Sequence, residues 1–112
     1  MRFVTAERIL AVYVMLRAFP PFNRWGLPAK INTEAVPYKS FRADFNPNTH
    51  TMRVSYVKVT TFHCLVEAVG HEICHMRQDK IGRWPVKDEH NADFQRMAKQ
   101  VCKHFPFDFG NF

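Results

Sequence analysis

Residues 60–82 read TTFHCLVEAVGHEICHMRQDKIG, and the organisation of the rest of the chain follows from this stretch. Its length and its apolar positions, Leu65, Val66, Ala68, Val69, Ile73, Cys74 and Met76, predict a helix from Thr60 or Thr61 to about Lys80. Either threonine suits the N-cap, where a hydroxyl accepts from an unpaired amide of the first turn. Gly82 is the expected stop. Gly70 interrupts the run at a cost of about 1 kcal/mol relative to alanine. Its missing side chain either admits close approach of a neighbouring segment or is neutral.

Upstream, the period changes to two. Phe41, Ala43 and Phe45 alternate with Arg42 and Asp44, and Met52, Val54 and Tyr56 alternate with Arg53 and Ser55. With Asn46-Pro47-Asn48 as a turn between them, the two runs predict an antiparallel hairpin. A further short strand is expected near residues 35–38, confined to a sheet edge by Pro37, which cannot donate to a ladder. Earlier still, Thr5 is expected to cap a helix reaching about Phe19, with Ile9, Val12, Tyr13 and Leu16 as its buried stripe and Pro20-Pro21 as its end. A loop carrying Asn23, Gly26 and Pro28 follows. Downstream, Pro85 resets the chain and Asp88 is the expected cap of a last helix ending near His104. Phe94, Met97, Ala98, Val101 and Phe105 form its apolar stripe, and the tail from Phe107 to Phe112 is expected to pack back on the domain. The order helix, strands, helix, helix predicts one α+β domain over residues 1–112, its helices laid on a small antiparallel sheet.

Composition agrees. A chain of 112 residues fits one domain, and 46% hydrophobic content with eleven Phe, three Tyr and two Trp is enough for a core and excludes a disordered segment. The apolar N-terminal run is not read as a signal peptide: Glu7 and Arg8 precede it, Arg17 ends it and no small-residue cleavage site follows. It is also far short of the roughly 20 apolar residues that span a bilayer. Three cysteines, odd in number and without a C-x-x-C pair, point to a reducing compartment, here the cytoplasm. The net charge is +6, but lysines and arginines are scattered singly, so charge keeps a small protein soluble and does not establish a nucleic-acid partner.

The chemistry is carried by His71-Glu72-Ile73-Cys74-His75, an H-E-x-x-H segment inside the predicted central helix. Four residues on a helix bring both imidazoles to one face, one turn apart, where they can share a cation. Glu72 lies about 100° around from His71, beside a water on that cation. Read instead as a hydrogen-bonded polar cluster, the same three residues would each need a partner on an otherwise apolar helix; a metal supplies all of them at once. A catalytic zinc takes three protein ligands and leaves one position open. The close-spaced metzincin pattern fails, because Gln78 stands where its glycine belongs and Ile81 where its third histidine belongs. His90 is separated from His75 by fourteen residues and is in phase with Phe94, Met97 and Val101, which directs it to the core. Glu89 and Asp93 compete for the third place, but Glu89 lies off that stripe. Asp93, one turn beyond His90, is placed to accept a hydrogen bond from a ligand imidazole.

The segments H-E-I-C-H-M-R-Q and E-H-N-A-D-F, at residues 71–78 and 89–94, resemble the SprT-like zinc metallopeptidases. The helix over residues 5–19, Leu27-Pro28 and the hairpin follow that family's order ahead of its motif helix. The resemblance is to its short stand-alone bacterial and phage members, although Asn91 stands where most members carry glycine. It implies zinc held by His71, His75 and His90, Glu72 as catalytic base, a protein or peptide substrate, and a bacterial or phage-infected cytoplasm. Through the family's Spartan branch, implied to digest proteins crosslinked to DNA, nucleic acid enters as a weaker second partner.

The resulting expectation is metal-assisted hydrolysis of a peptide bond, Glu72 taking the proton of the attacking water and passing it to the leaving amine. A further oxyanion donor would come from Tyr38, Tyr56, Arg77 or His104. Two rivals stand beside it. A nucleic-acid-binding module with structural zinc would need a fourth ligand from Cys64, Cys74 or Cys102. Cys74, however, is about 60° from His71 around the helix and Cys64 about 10 Å away along it. All three are expected to pack as small hydrophobes. The other rival is a degenerate, metal-free metallopeptidase acting as a binding factor.

Overall fold

Residues 2–82, 92–107 and 112 are described by a computed structural model. The first helix, α1, spans Ala6–Arg17, and the Thr5 hydroxyl accepts from the Arg8 amide at 3.2 Å as its cap. Ile9, Val12, Tyr13 and Leu16 are buried along one side, as the spacing predicts. The helix stops two residues short of Phe19. Ala18 and Phe19 turn more tightly, with amides on the Met15 and Leu16 carbonyls, because Pro20 and Pro21 bring no amides to continue an α-helical ladder. A short 3-10 turn at Phe22–Arg24 then sets Phe22 and Trp25 in the core, edge to face at 5.2 Å.

Three strands follow: β1 at Asn32–Val36, β2 at Ala43–Asn46 and β3 at Thr51–Ser55. The hairpin expected from the alternation is present, β2 pairing antiparallel with β3 in the register Phe45↔Met52 and Asp44↔Arg53. The Asn46 carboxamide accepts from the Asn48 amide in the turn, and Arg53 closes a two-pronged ion pair on Asp44 at 2.8 and 2.9 Å. Two details differ from expectation. The edge strand starts at Asn32 and ends at Val36, overlapping residues 35–38 only in part. Val36 accepts the Tyr56 amide, and Pro37 has no N–H with which to extend the ladder. β1 also runs parallel to β3, so the sheet is mixed, in the order β1-β3-β2, rather than wholly antiparallel. Phe41 lies outside β2, 45% exposed and set against the Tyr38 ring at 4.4 Å, so the inward alternation starts at Ala43. Tyr56 follows β3 and is half-buried.

The second helix, α2, spans Phe62–Lys80 and is the centre of the domain, in contact with α1, β2, β3 and α3. Of the two candidate caps, Thr61 performs the role, its hydroxyl accepting from the Cys64 amide at 3.1 Å. Gly82 ends the segment with φ +71°, a conformation costly for any residue with a side chain. Every residue from Leu65 to Gly70 is buried, and so is every residue from Glu72 to Met76. α3, Ala92–His104, buries Phe94, Ala98 and Val101. Its expected cap at Asp88 lies outside the described residues. Phe107 and Phe112 pack back as expected. A Cβ on Gly70 would stand 3.4 Å from each of their rings and 3.7 Å from Phe22, ordinary contact distances, so the tail packs directly over this position of α2. Among the described residues no helix is long and apolar enough to cross a membrane.

Candidate metal centre

His71, Glu72 and His75 occupy consecutive turns of α2 at its most buried stretch. One ring nitrogen of each histidine and one Glu72 carboxylate oxygen all lie within 4.8 Å of one another, a group able to hold a metal ion. His71 Nε2 is 3.9 Å from Glu72 Oε2, and Glu72 and His75 are 4% and 3% exposed. Two imidazoles and a carboxylate gathered so closely inside an apolar helix fit a cation by their chemistry.

The rings are oriented from outside the cluster. His71 Nδ1 lies 2.8 Å from the main-chain oxygen of Phe112, and His75 Nδ1 lies 2.8 Å from Gln78 Oε1. A carbonyl oxygen only accepts, so each Nδ1 donates, and the lone pair of each neutral ring is on Nε2. Phe94 reaches across from α3, its ring 4.6 Å from that of His75 in a stacked arrangement and 4.8 Å from that of His71. Phe112 adds a ring at 5.5 Å from His71 and stacks in turn on Phe107. The aromatic tail and the first turn of α3 thus wall the pair on two sides.

One turn earlier on α2, the buried Glu67 carboxylate accepts from Arg42 at 2.8 Å, tying the entry of β2 to the helix, with His63 Nε2 at 3.8 Å. The Cys74 thiol is pushed well above its ordinary range by burial and then by the neighbouring Glu72 carboxylate. All three cysteines are free thiols.

Of the residues expected at the site, His71, Glu72 and His75 converge. His90 and its competitor Glu89 lie outside the described residues. Asp93 is half-buried in the first turn of α3 and forms an ion pair with Arg96. Among the expected oxyanion donors, Tyr38 faces Asp44, at 3.5 Å, and Arg77 donates to the Trp25 carbonyl at 3.1 Å. Tyr56 carries the Arg2 guanidinium over its ring, and His104 is an exposed residue at the end of α3. Gln78 and Phe112 were not anticipated as partners of the histidines. A signal for Gln78 was available: an amide three residues after His75 on the buried side of the helix needs a partner, and that ring lies one turn back on the same face. Comparison of the chain with family models, curated proteins and solved structures finds no match in any of the three.

Proposed function

We propose that this chain is a zinc-dependent peptidase, a minimal relative of the SprT-like metallopeptidases working in the cytoplasm of a bacterial or phage-infected cell. The observation that carries the reading is the cluster itself: two imidazole nitrogens and a buried carboxylate oxygen within 4.8 Å, both rings held through Nδ1 by carbonyl oxygens. Nitrogen and oxygen donors on one helix face suit zinc. His71 and His75 would hold the ion through Nε2. His90 is the proposed third ligand, supported by Phe94, which follows it by four residues and lies against both rings. When bound, zinc acts as a Lewis acid and brings the pKa of water down to about 7.

Glu72 supplies the proton transfers. Its carboxylate takes the proton of the attacking water and delivers it to the nitrogen of the scissile amide as the C–N bond breaks. Burial of Glu72 at 4% exposure keeps bulk water from competing for that proton. A protein or peptide is the proposed substrate, and nucleic acid has no required part. The test is Glu72→Gln, which preserves shape and removes the base. The variant should keep its zinc and lose cleavage of an unfolded protein substrate by a factor of at least about 100. Cleavage at the native rate by that variant would end the reading.

A further inference from the structure

The two histidines of the centre are held in the same way by unrelated groups. His71 Nδ1 meets the Phe112 main-chain oxygen and His75 Nδ1 meets the side-chain oxygen of Gln78, each at 2.8 Å. The first partner comes from the far end of the chain, the second from the next turn of the same helix. We propose that Gln78 is a positioning residue for the metal centre: its amide oxygen holds the His75 ring as the Nδ1–H tautomer with Nε2 turned to the ion.

Three observations carry this. Gln78 is fully buried, at 0% exposure, a position that packing alone would fill with leucine or methionine. A buried amide is costly unless it is hydrogen-bonded, and here its oxygen is spent on the ring that needs an acceptor. His75 is also stacked on Phe94 at 4.6 Å, so the ring has a fixed plane, and the one choice left is which nitrogen carries the proton. That choice decides whether His75 offers a lone pair or an N–H to a cation. Gln78 settles it without adding negative charge beside the centre, which leaves the Lewis acidity of a bound ion undiminished. The inference rests on the zinc reading for the identity of the ion, but the tautomer is a property of the metal-free protein.

The experiment uses full-length, metal-free, 15N-labelled protein at about pH 8, where a histidine of ordinary pKa is neutral. Long-range proton–nitrogen spectra report the tautomer of His75, and competition against a chelating dye reports zinc affinity. Native protein should show a single Nδ1–H form. Gln78→Leu, similar in size but without the acceptor, should shift His75 toward Nε2–H and weaken zinc binding about 10–100-fold. Gln78→Glu, which keeps an oxygen in place, should retain the Nδ1–H form and bind zinc at least as tightly as the native chain. Native His75 protonated on Nε2 overturns the proposal without any variant, and so does a folded Gln78→Leu protein that keeps both tautomer and affinity. If the tautomer responds but no form of the protein binds zinc, the hold of Gln78 on the His75 tautomer stands, while its role at a zinc centre and the peptidase reading both fail.

Discussion

Replacing Gly70 tests whether the aromatic tail is seated on α2 beside the histidines. In Gly70→Ala the new Cβ would lie 3.4 Å from ring carbons of Phe107 and Phe112 and 3.7 Å from Phe22, all ordinary contact distances. Nothing has to move, and the substitution removes the helix penalty of glycine, about 1 kcal/mol. The expected result is a gain of about 1 kcal/mol, a rise of about 3–6 °C in melting temperature for a chain this size. Gly70→Leu has the same helical advantage but three more carbons, with three rings already in contact around the Cβ. Overpacking costs about 1–3 kcal/mol, so the net change should be a loss of up to about 2 kcal/mol. Because the displaced ring belongs to Phe112, whose carbonyl holds His71, Gly70→Leu should also weaken metal binding while Gly70→Ala leaves it unchanged. Thermal melts of the metal-free proteins and a metal titration read both effects. Equal stability of the leucine and alanine variants would show that the rings do not pack on this glycine, and destabilisation by alanine would show that they pack closer than ordinary contact.

Arg42→Met should cost about 2–3 kcal/mol in chemical denaturation, because it strips the short ion pair from the buried Glu67 carboxylate; adding Glu67→Leu should recover most of that loss, and additive losses would refute the pairing. Tyr13, buried and donating to the Pro28 carbonyl at 2.6 Å, has its pKa raised from 10.0 to about 12 by burial. The folded protein therefore keeps a proton that the unfolded chain releases. The stability this contributes is whole below pH 10 and is lost as pH rises to about 12. Tyr13→Phe should be less stable by about 1 kcal/mol at neutral pH and should show a shallower alkaline decline; an identical decline in both proteins would contradict the assignment.

The elements that local chemistry determines were readable in advance. Thr5, Thr61 and Gly82 mark helix ends through hydroxyl caps and a left-handed stop, and a period of two around Asn46-Pro47-Asn48 specifies a hairpin, since each signal lies within a few residues of what it controls. The pairing of β1 is different in kind. Val36 and Ser55 meet across nineteen positions, and neither alternation nor turn chemistry says whether an edge strand joins parallel or antiparallel. The site divides along the same line. The spacing of His71 and His75 encodes their shared helix face, whereas Gly70 leaves open in sequence whether any segment approaches it. That Phe112 supplies a carbonyl to His71, from forty-one residues away, depends on how the tail folds back. In the sequence Gln78 reads only as the residue that breaks the metzincin spacing; its hydrogen bond explains why an amide belongs there.

The central claim, that His71 and His75 share a metal ion, is tested most directly by zinc content per chain. Purified native protein and its His71→Ala and His75→Ala variants would be equilibrated with zinc, dialysed and analysed for metal, with circular dichroism confirming that each is folded. The native chain should retain about one zinc ion, and each folded variant should retain little or none. A native chain that emerges without metal, or variants that keep as much as the native protein, would contradict the claim.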